Sequence, residues 1–547
     1  MRNVRSAIAI LIWLVASLFG GAAVCSGSPL PGYVVHFDCL ANDQEGQQLV
    51  RIAAASGARV INIVPPAHIW ENHQAVRILN TILQEAAQLQ LSVLFTRIDA
   101  SYPPDAHGRR ENYLYAHILT EPGRMPDGSP TVKYFLTTAG RAGYAEWMEE
   151  ETRYYATHYG ELPNLLGINL GPFSEPFVSQ RGGFLQYLRK TGCYELTQYT
   201  PEAARLWHEW LRAHFSDISG VNHEYQTSFA SLEEIPLPRN ERDERFGAHA
   251  GTAYFDFVRT INDWFIERYE RCQRIWHEAS GRSDVPFILQ FSGFVAEKFA
   301  KARPGAAGFD LVGWIAKADA VGLSLYMNSG YLDYGHASVI ATVRLLALAR
   351  NLGKEVFVLE GGCEAPNVVL NEDELRFFAS AAAPVRPKVW IYEFLKDTFD
   401  EEYRSNPGKL VQSNGHIRPA AMRLLRSLFN EIQTRPAVEE APALAIIVDP
   451  TALRNDQALA RASLALFDLA GIIPVRWATN ESICTLPRNV PRIQFDHLLP
   501  DDEIAHALMA APEPETRERQ EWLNRFPLAF AHQTFPLGKT SETRSAQ

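Results

Sequence analysis

The most restrictive feature of this chain is a series of eight short, almost uninterrupted apolar segments, rich in β-branched and aromatic residues, each followed by a stretch long enough for a helix. They are expected as strands over residues 33–39, 59–64, 91–98, 165–170, 287–292, 320–326, 355–360 and 388–394. Runs such as VINIV, SVLF, VFVLE and VWIYEF lack the alternation of a sheet with one wet face, so they belong to strands covered on both sides. Strands of that kind alternating with helices form a parallel sheet. Eight of them predict an α/β fold, a (β/α)8 TIM barrel, with long insertions after strands three and four. An open doubly wound sheet is the alternative, but no G-x-G-x-x-G follows the first strand.

The flanking segments divide the chain. Arg2 and Arg5 precede an uncharged run over residues 7–24, then Ser26, Gly27 and Ser28, the order of a secretory signal over residues 1–28. An uncleaved anchor is the other reading, since the run sits at the short end of a spanning helix. The signal predicts a periplasmic or secreted protein with no membrane span after its removal. The barrel is expected over 29–434 and a linker over 435–442, where PAVEEAP falls. A small α/β fragment over 443–512 has strands in ALAIIVD and IIPVRWA around one helix, too little for an independent core, so it should pack on the barrel. A C-terminal tail, 513–547, is expected to be partly disordered. The six cysteines, at 25, 39, 193, 272, 363 and 484, are all more than four residues apart, which excludes the paired ligand spacing of structural zinc; no metal site is expected. With 52 basic against 63 acidic residues, a net charge of −11 and no basic block, nucleic acid is a poor partner.

The long connections over 100–140 and 177–286 both follow strand C-termini, the face where barrel enzymes assemble their active sites. Two carboxylates stand at that mouth. Glu175 closes NLLGINLGPFSE after strand four and Glu360 closes KEVFVLE on strand seven. Such acids are costly unless compensated, and strands four and seven face each other across a barrel, so the pair suits glycosidic hydrolysis. One carboxyl, protonated, serves the departing oxygen; the other, ionised, attacks the anomeric carbon or activates water. Each could instead cap a helix or pair with a rim arginine. Glu364 is the alternative to Glu360, four residues further on. Trp70, Phe173, Tyr326 and Trp390 are candidates to stack on sugar rings, with a core role equally open for Trp390 inside strand eight. Asp38 and His36 on strand one and Glu393 on strand eight are candidate hydroxyl ligands, while Arg97 and Asp99 read as easily as a structural pair.

These residues carry a resemblance to glycoside hydrolase family 42, the barrel β-galactosidases. GARVINIVPPAHIWE is similar to the family's second strand and its tryptophan loop, with Trp70 at the tryptophan position. AGYAEWMEEETRYYATHYGELPNLLGINLGPFSE resembles the helix leading to the acid/base strand, and RLWHEWLRAHFSDISGVNHEYQTSFASLEEIPLP resembles the family's insertion. The resemblance implies a retaining hydrolase of β-galactoside-like bonds in an oligosaccharide or exopolysaccharide, with Glu175 as acid/base, Glu360 as nucleophile and no cofactor. Ser174 stands where the clan has the asparagine that holds the sugar 2-hydroxyl, and the family's zinc-binding cysteine cluster is missing. GPFSEPFVSQRGGF also resembles the acid-bearing loop of the inverting β-amylases, the enzymatic alternative. A catalytically silent glycan-binding barrel of the cell envelope is the non-enzymatic one. A homo-oligomer is compatible with either.

Overall fold

A computed structural model describes residues 28–96 except 38, 39, 41 and 67; 144–172; 199–291 except 241; 311–326; 335–362; 372–392; 409–435 except 413; and short pieces elsewhere, among them 444–449, 475–479 and 492–495. The expected signal segment, the C-terminal tail and the helix expected between the two strands of the C-terminal fragment lie outside the described residues.

Eight parallel strands close a barrel: β1 (Leu30–His36), β2 (Val60–Val64), β3 (Ser92–Thr96), β4 (Leu165–Pro172), β5 (Phe287–Phe291), β6 (Ala320–Tyr326), β7 (Glu355–Gly362) and β8 (Val389–Tyr392). The order runs in sequence, and β1 closes on β8 from Leu30 with Val389 to Tyr33 with Tyr392. This is the expected (β/α)8 TIM barrel. Helices α1 (Asp43–Ala55), α2 (His73–Gln88) and α3 (Tyr144–Tyr159) follow or precede the first strands. The insertion after β4 supplies α4 (Pro201–His214), α5 (Ile218–Tyr225) and the long α6 (Ala250–Ser280); α7 (Leu311–Lys317), α8 (Gly335–Asn351), α9 (Glu372–Ala382) and α10 (Pro419–Thr434) complete the ring.

Local chemistry starts these helices where the sequence allows it. Asn42 and Asn72 cap α1 and α2 by accepting from the backbone N–H of Glu45 and Ala75, each at 3.0 Å. Proline at the first turn of α4 and of α10 costs no hydrogen bond there. In the insertion the Trp207 ring stacks with Trp210 and Tyr225 and meets Phe257 of α6 edge-on. Asn222 fastens the following loop: its amide donates to the Phe229 carbonyl at 2.8 Å and its oxygen accepts from the Phe229 N–H at 2.9 Å.

The sheet separates two apolar cores. Inside the barrel lie Val34, Val60, Leu94, Ile288, Ala320, Phe357, Leu359, Val389 and Ile391. The larger core fills the space between sheet and helices. At the N-terminal end of the strands, the Asp319 carboxylate accepts from the Phe287 N–H at 3.1 Å and lies 2.7 Å from His277 Nε2, a tie between α6 and two strand starts. Such contacts at the bottom of a barrel serve stability.

The C-terminal fragment differs from expectation in its strand count. It is a parallel sheet of β9 (Leu444–Val448) flanked by β10 (Val475–Ala478) and β11 (Arg492–Phe495). The third strand, RIQF, was not expected from the sequence. The fragment packs on the barrel at α8, where the Asn351 amide donates to the Trp477 carbonyl at 3.0 Å. Among the described residues no helix is long and apolar enough to cross a membrane.

Candidate active site

Strict alternation along β7 would turn Glu360 away from the lumen. Phe357 and Leu359 belong to the inner core and Val358 to the outer one, so the next residue should face the helices. The ladder to β6 slips at this point. Leu323 pairs with Val358, but Ser324 pairs with Glu360 and Leu325 with Gly361. Ala320 faces inward, so Gly322 and Ser324 hold the inward register of β6, and the slip gives Glu360 that register too. A bulge re-aims a side chain in this way beside many active sites. Glu360 is 6% exposed, at the C-terminal end of β7.

A layer of polar side chains accompanies it near the strand ends. Thr96 pairs in register with Asn169, and the Asn169 amide donates to the Gln290 side-chain oxygen across the β4–β5 boundary. All three are essentially inaccessible. One step deeper, Asn62 on β2 donates from Nδ2 to the Leu359 carbonyl at 3.2 Å, and it is fully buried. Sequence reasoning missed Asn62, Thr96, Asn169 and Gln290, which stand inside runs read as apolar strands. The signal was available: a polar side chain in a strand covered on both faces must find a partner or a ligand in the lumen.

The other expected site residues are placed as follows. Trp70 lies in a short 3-10 turn after β2 (Ile69–Glu71), its ring 4.6 Å from that of His68 and 4.8 Å from that of Tyr154 on α3. His68 adopts the left-handed backbone region, φ 48°, unusual for a residue with a side chain. Tyr326 ends β6, paired with Gly362 of β7. His36, two residues beyond the inward Val34, holds the inward register at the end of β1. Trp390 is 2% exposed and meets Phe429 of α10 edge-on at 6.5 Å, so its ring packs in the outer core and not in the lumen. The structural role open to Trp390 is the one its position carries. Glu175, Ser174, Phe173, Asp38, Glu393, Glu364, Arg97 and Asp99 lie outside the described residues.

Away from the mouth, the insertion holds a perturbed acid. Burial pushes the Asp256 carboxyl on α6 up to about 6, although the Tyr225 hydroxyl donates to it at 2.8 Å and Arg259 lies near. It belongs to the packing of α5 on α6. Among the described residues, no group of three metal-ligating side chains is gathered.

Residues 190–361, from the insertion through Glu360, match the family model Glyco_hydro_42, described as Beta-galactosidase. The β-galactosidase of Rahnella sp. R3 superposes with a TM-score of 0.60 at 13% identity over 83% of this chain, and that of Bacillus circulans sp. alkalophilus with 0.61 at 12% over 83%. The chain spans 65% of the length of each. The catalytic domain of the Paenibacillus polymyxa β-amylase superposes with a TM-score of 0.55 at 9% identity, covering 75% of this chain and 100% of that one. No curated protein sequence matches the chain. The chain is thus similar to the β-galactosidase family model over residues 190–361 and to these β-galactosidases in its (β/α)8 barrel fold.

Proposed function

We propose that the chain is an exported, retaining glycoside hydrolase that cleaves β-galactoside-like bonds in an oligosaccharide or exopolysaccharide. The observation that carries this reading is Glu360: an acid buried at the C-terminal end of β7, turned to the inward register by a bulge, inside the segment that matches the β-galactosidase family. An acid held there is placed to attack a sugar bound at the mouth. Glu175, beyond the end of β4, is its partner in the proposal. It protonates the leaving oxygen, then deprotonates the water that releases the sugar from Glu360. Ser174 holds the sugar 2-hydroxyl. Export rests on the apolar run over residues 7–24 and the small residues that follow.

The test is turnover by the purified mature protein across aryl glycosides and a glycan panel, with product stereochemistry followed by NMR. A β-configured initial product from a β-galactoside supports the reading. An inverting β-amylase-like reaction on α-glucans is the second reading, favoured by the coverage of the whole β-amylase domain. Inversion on such glucans would replace the first. Binding of a glycan without turnover would favour the silent barrel.

A further inference from the structure

We propose that Asn62 is a positioning residue for Glu360: its side-chain amide, reaching across the lumen from β2 to β7, holds the bulged backbone that aims the acid inward. The proposal rests on the hydrolase reading for the role of Glu360 and on this structure for the contact. The Leu359 carbonyl can only accept, so the nitrogen of the Asn62 amide must face it, which fixes the orientation of the side chain. β2 and β7 are not neighbours in the barrel, so this bond is a tie across the lumen and no part of a ladder. It lands on the peptide that joins Leu359 to Glu360, where the register slips.

Two further observations support a local role. Leu359 and Glu360 both take inward places on successive residues, an arrangement that the ladder to β6 alone does not hold. Moreover, Asn62 Oδ1 is buried with no protein donor among the described residues. An unsatisfied buried acceptor is costly, and a leucine of similar volume would avoid that cost. The use of the amide therefore lies at its donating end. Asn62 sits one layer below the acid and its amide donates to the backbone beside it, so it acts through Glu360.

Asn62→Leu tests this by two independent readouts. Amide exchange in the segment 355–362 should speed up by on the order of tenfold while the other strands keep their protection. On an aryl β-galactoside, kcat should fall on the order of 10²-fold, the scale of a misplacement near 1 Å, with KM changed less than about threefold. Asn62→Asp keeps the shape and, when protonated, a donor, so its kcat relative to the parent chain should recover as pH falls, whereas that of Asn62→Leu should not. This second variant also decides the matter if Asn62→Leu fails to fold. Unchanged exchange over 355–362, or a loss appearing mainly in KM, overturns the proposal. If the parent chain turns over no glycoside, the hydrolase reading fails by itself, and the exchange result still decides whether Asn62 holds the bulge.

Discussion

Alanine at Gly322 would put a methyl group into a crowded part of the lumen. A Cβ there would lie 2.3 Å from Leu359 Cδ1, 3.0 Å from its Cγ and 3.1 Å from Ile288 Cγ2, against about 3.5–4.0 Å for relaxed carbon contacts. Leu359 must therefore retreat by more than about 1 Å at its tip, and overpacking of that kind costs about 1–3 kcal/mol. The retreating side chain adjoins the bulged Glu360, so the same change should lower kcat by up to about 10²-fold. The urea midpoint and steady-state kinetics on an aryl β-galactoside measure the two effects. Gly353→Ala is the control. That glycine has φ +75° and no atom within 4 Å of the added methyl, so its cost is backbone strain of about 1–2 kcal/mol with no loss of kcat. A Gly322→Ala chain as stable and as active as the parent would refute the packing of Leu359 against Gly322 and, with it, the described aim of Glu360.

Three further outcomes are expected. Glu175→Gln should slow natural sugars far more than activated aryl glycosides, which leave without a proton; equal losses on both would remove Glu175 from the acid role. Ser174→Ala should lower kcat/KM by on the order of 10²–10³ with little change in the unfolding midpoint, if its hydroxyl holds the sugar in the transition state. Asp256 concerns stability and its pH dependence. Its folded-state pKa of about 6 lies above the unfolded value near 3.9, so the stability it contributes is full below about pH 4 and is lost as pH rises through about 6, by at most about 3 kcal/mol. Asp256→Asn should flatten the stability profile between about pH 4 and 6, and a slope identical to the parent's would contradict the buried acid.

The barrel was legible because its strands are covered on both faces. Residues 320–326 match β6 end to end, and the other seven strands differ only at their ends. The missed strand, RIQF, carries the alternation of a strand, but over four residues only and after a polar, proline-containing stretch, so the signal was too short to stand out from a loop. Glu360 was legible as an acid at a strand end, but its direction was not. Period-two reasoning turns it outward, and only the slip opposite Ser324 turns it in. Trp390 shows the converse limit. An aromatic residue inside a doubly covered strand has the same sequence signature on either face, and the contact with Phe429 decides between them. Asn62 and Gln290 were hidden by apolar neighbours, in VINIV and FILQF, although a lone amide in such a run marks a place where the lumen must provide a partner.

The most direct test of the account is to catch the sugar on its acid. A 2-deoxy-2-fluoro-β-galactoside with a good leaving group slows both steps, the second more than the first, so a retaining enzyme accumulates its covalent intermediate. After digestion, mass spectrometry with fragmentation should find one fluorogalactosyl group, on Glu360 in the segment 355–376, and Glu360→Gln should abolish both the adduct and turnover. An adduct on Glu364 or Glu393, or steady turnover with no adduct on any carboxylate, would contradict the assignment of Glu360 as the nucleophile.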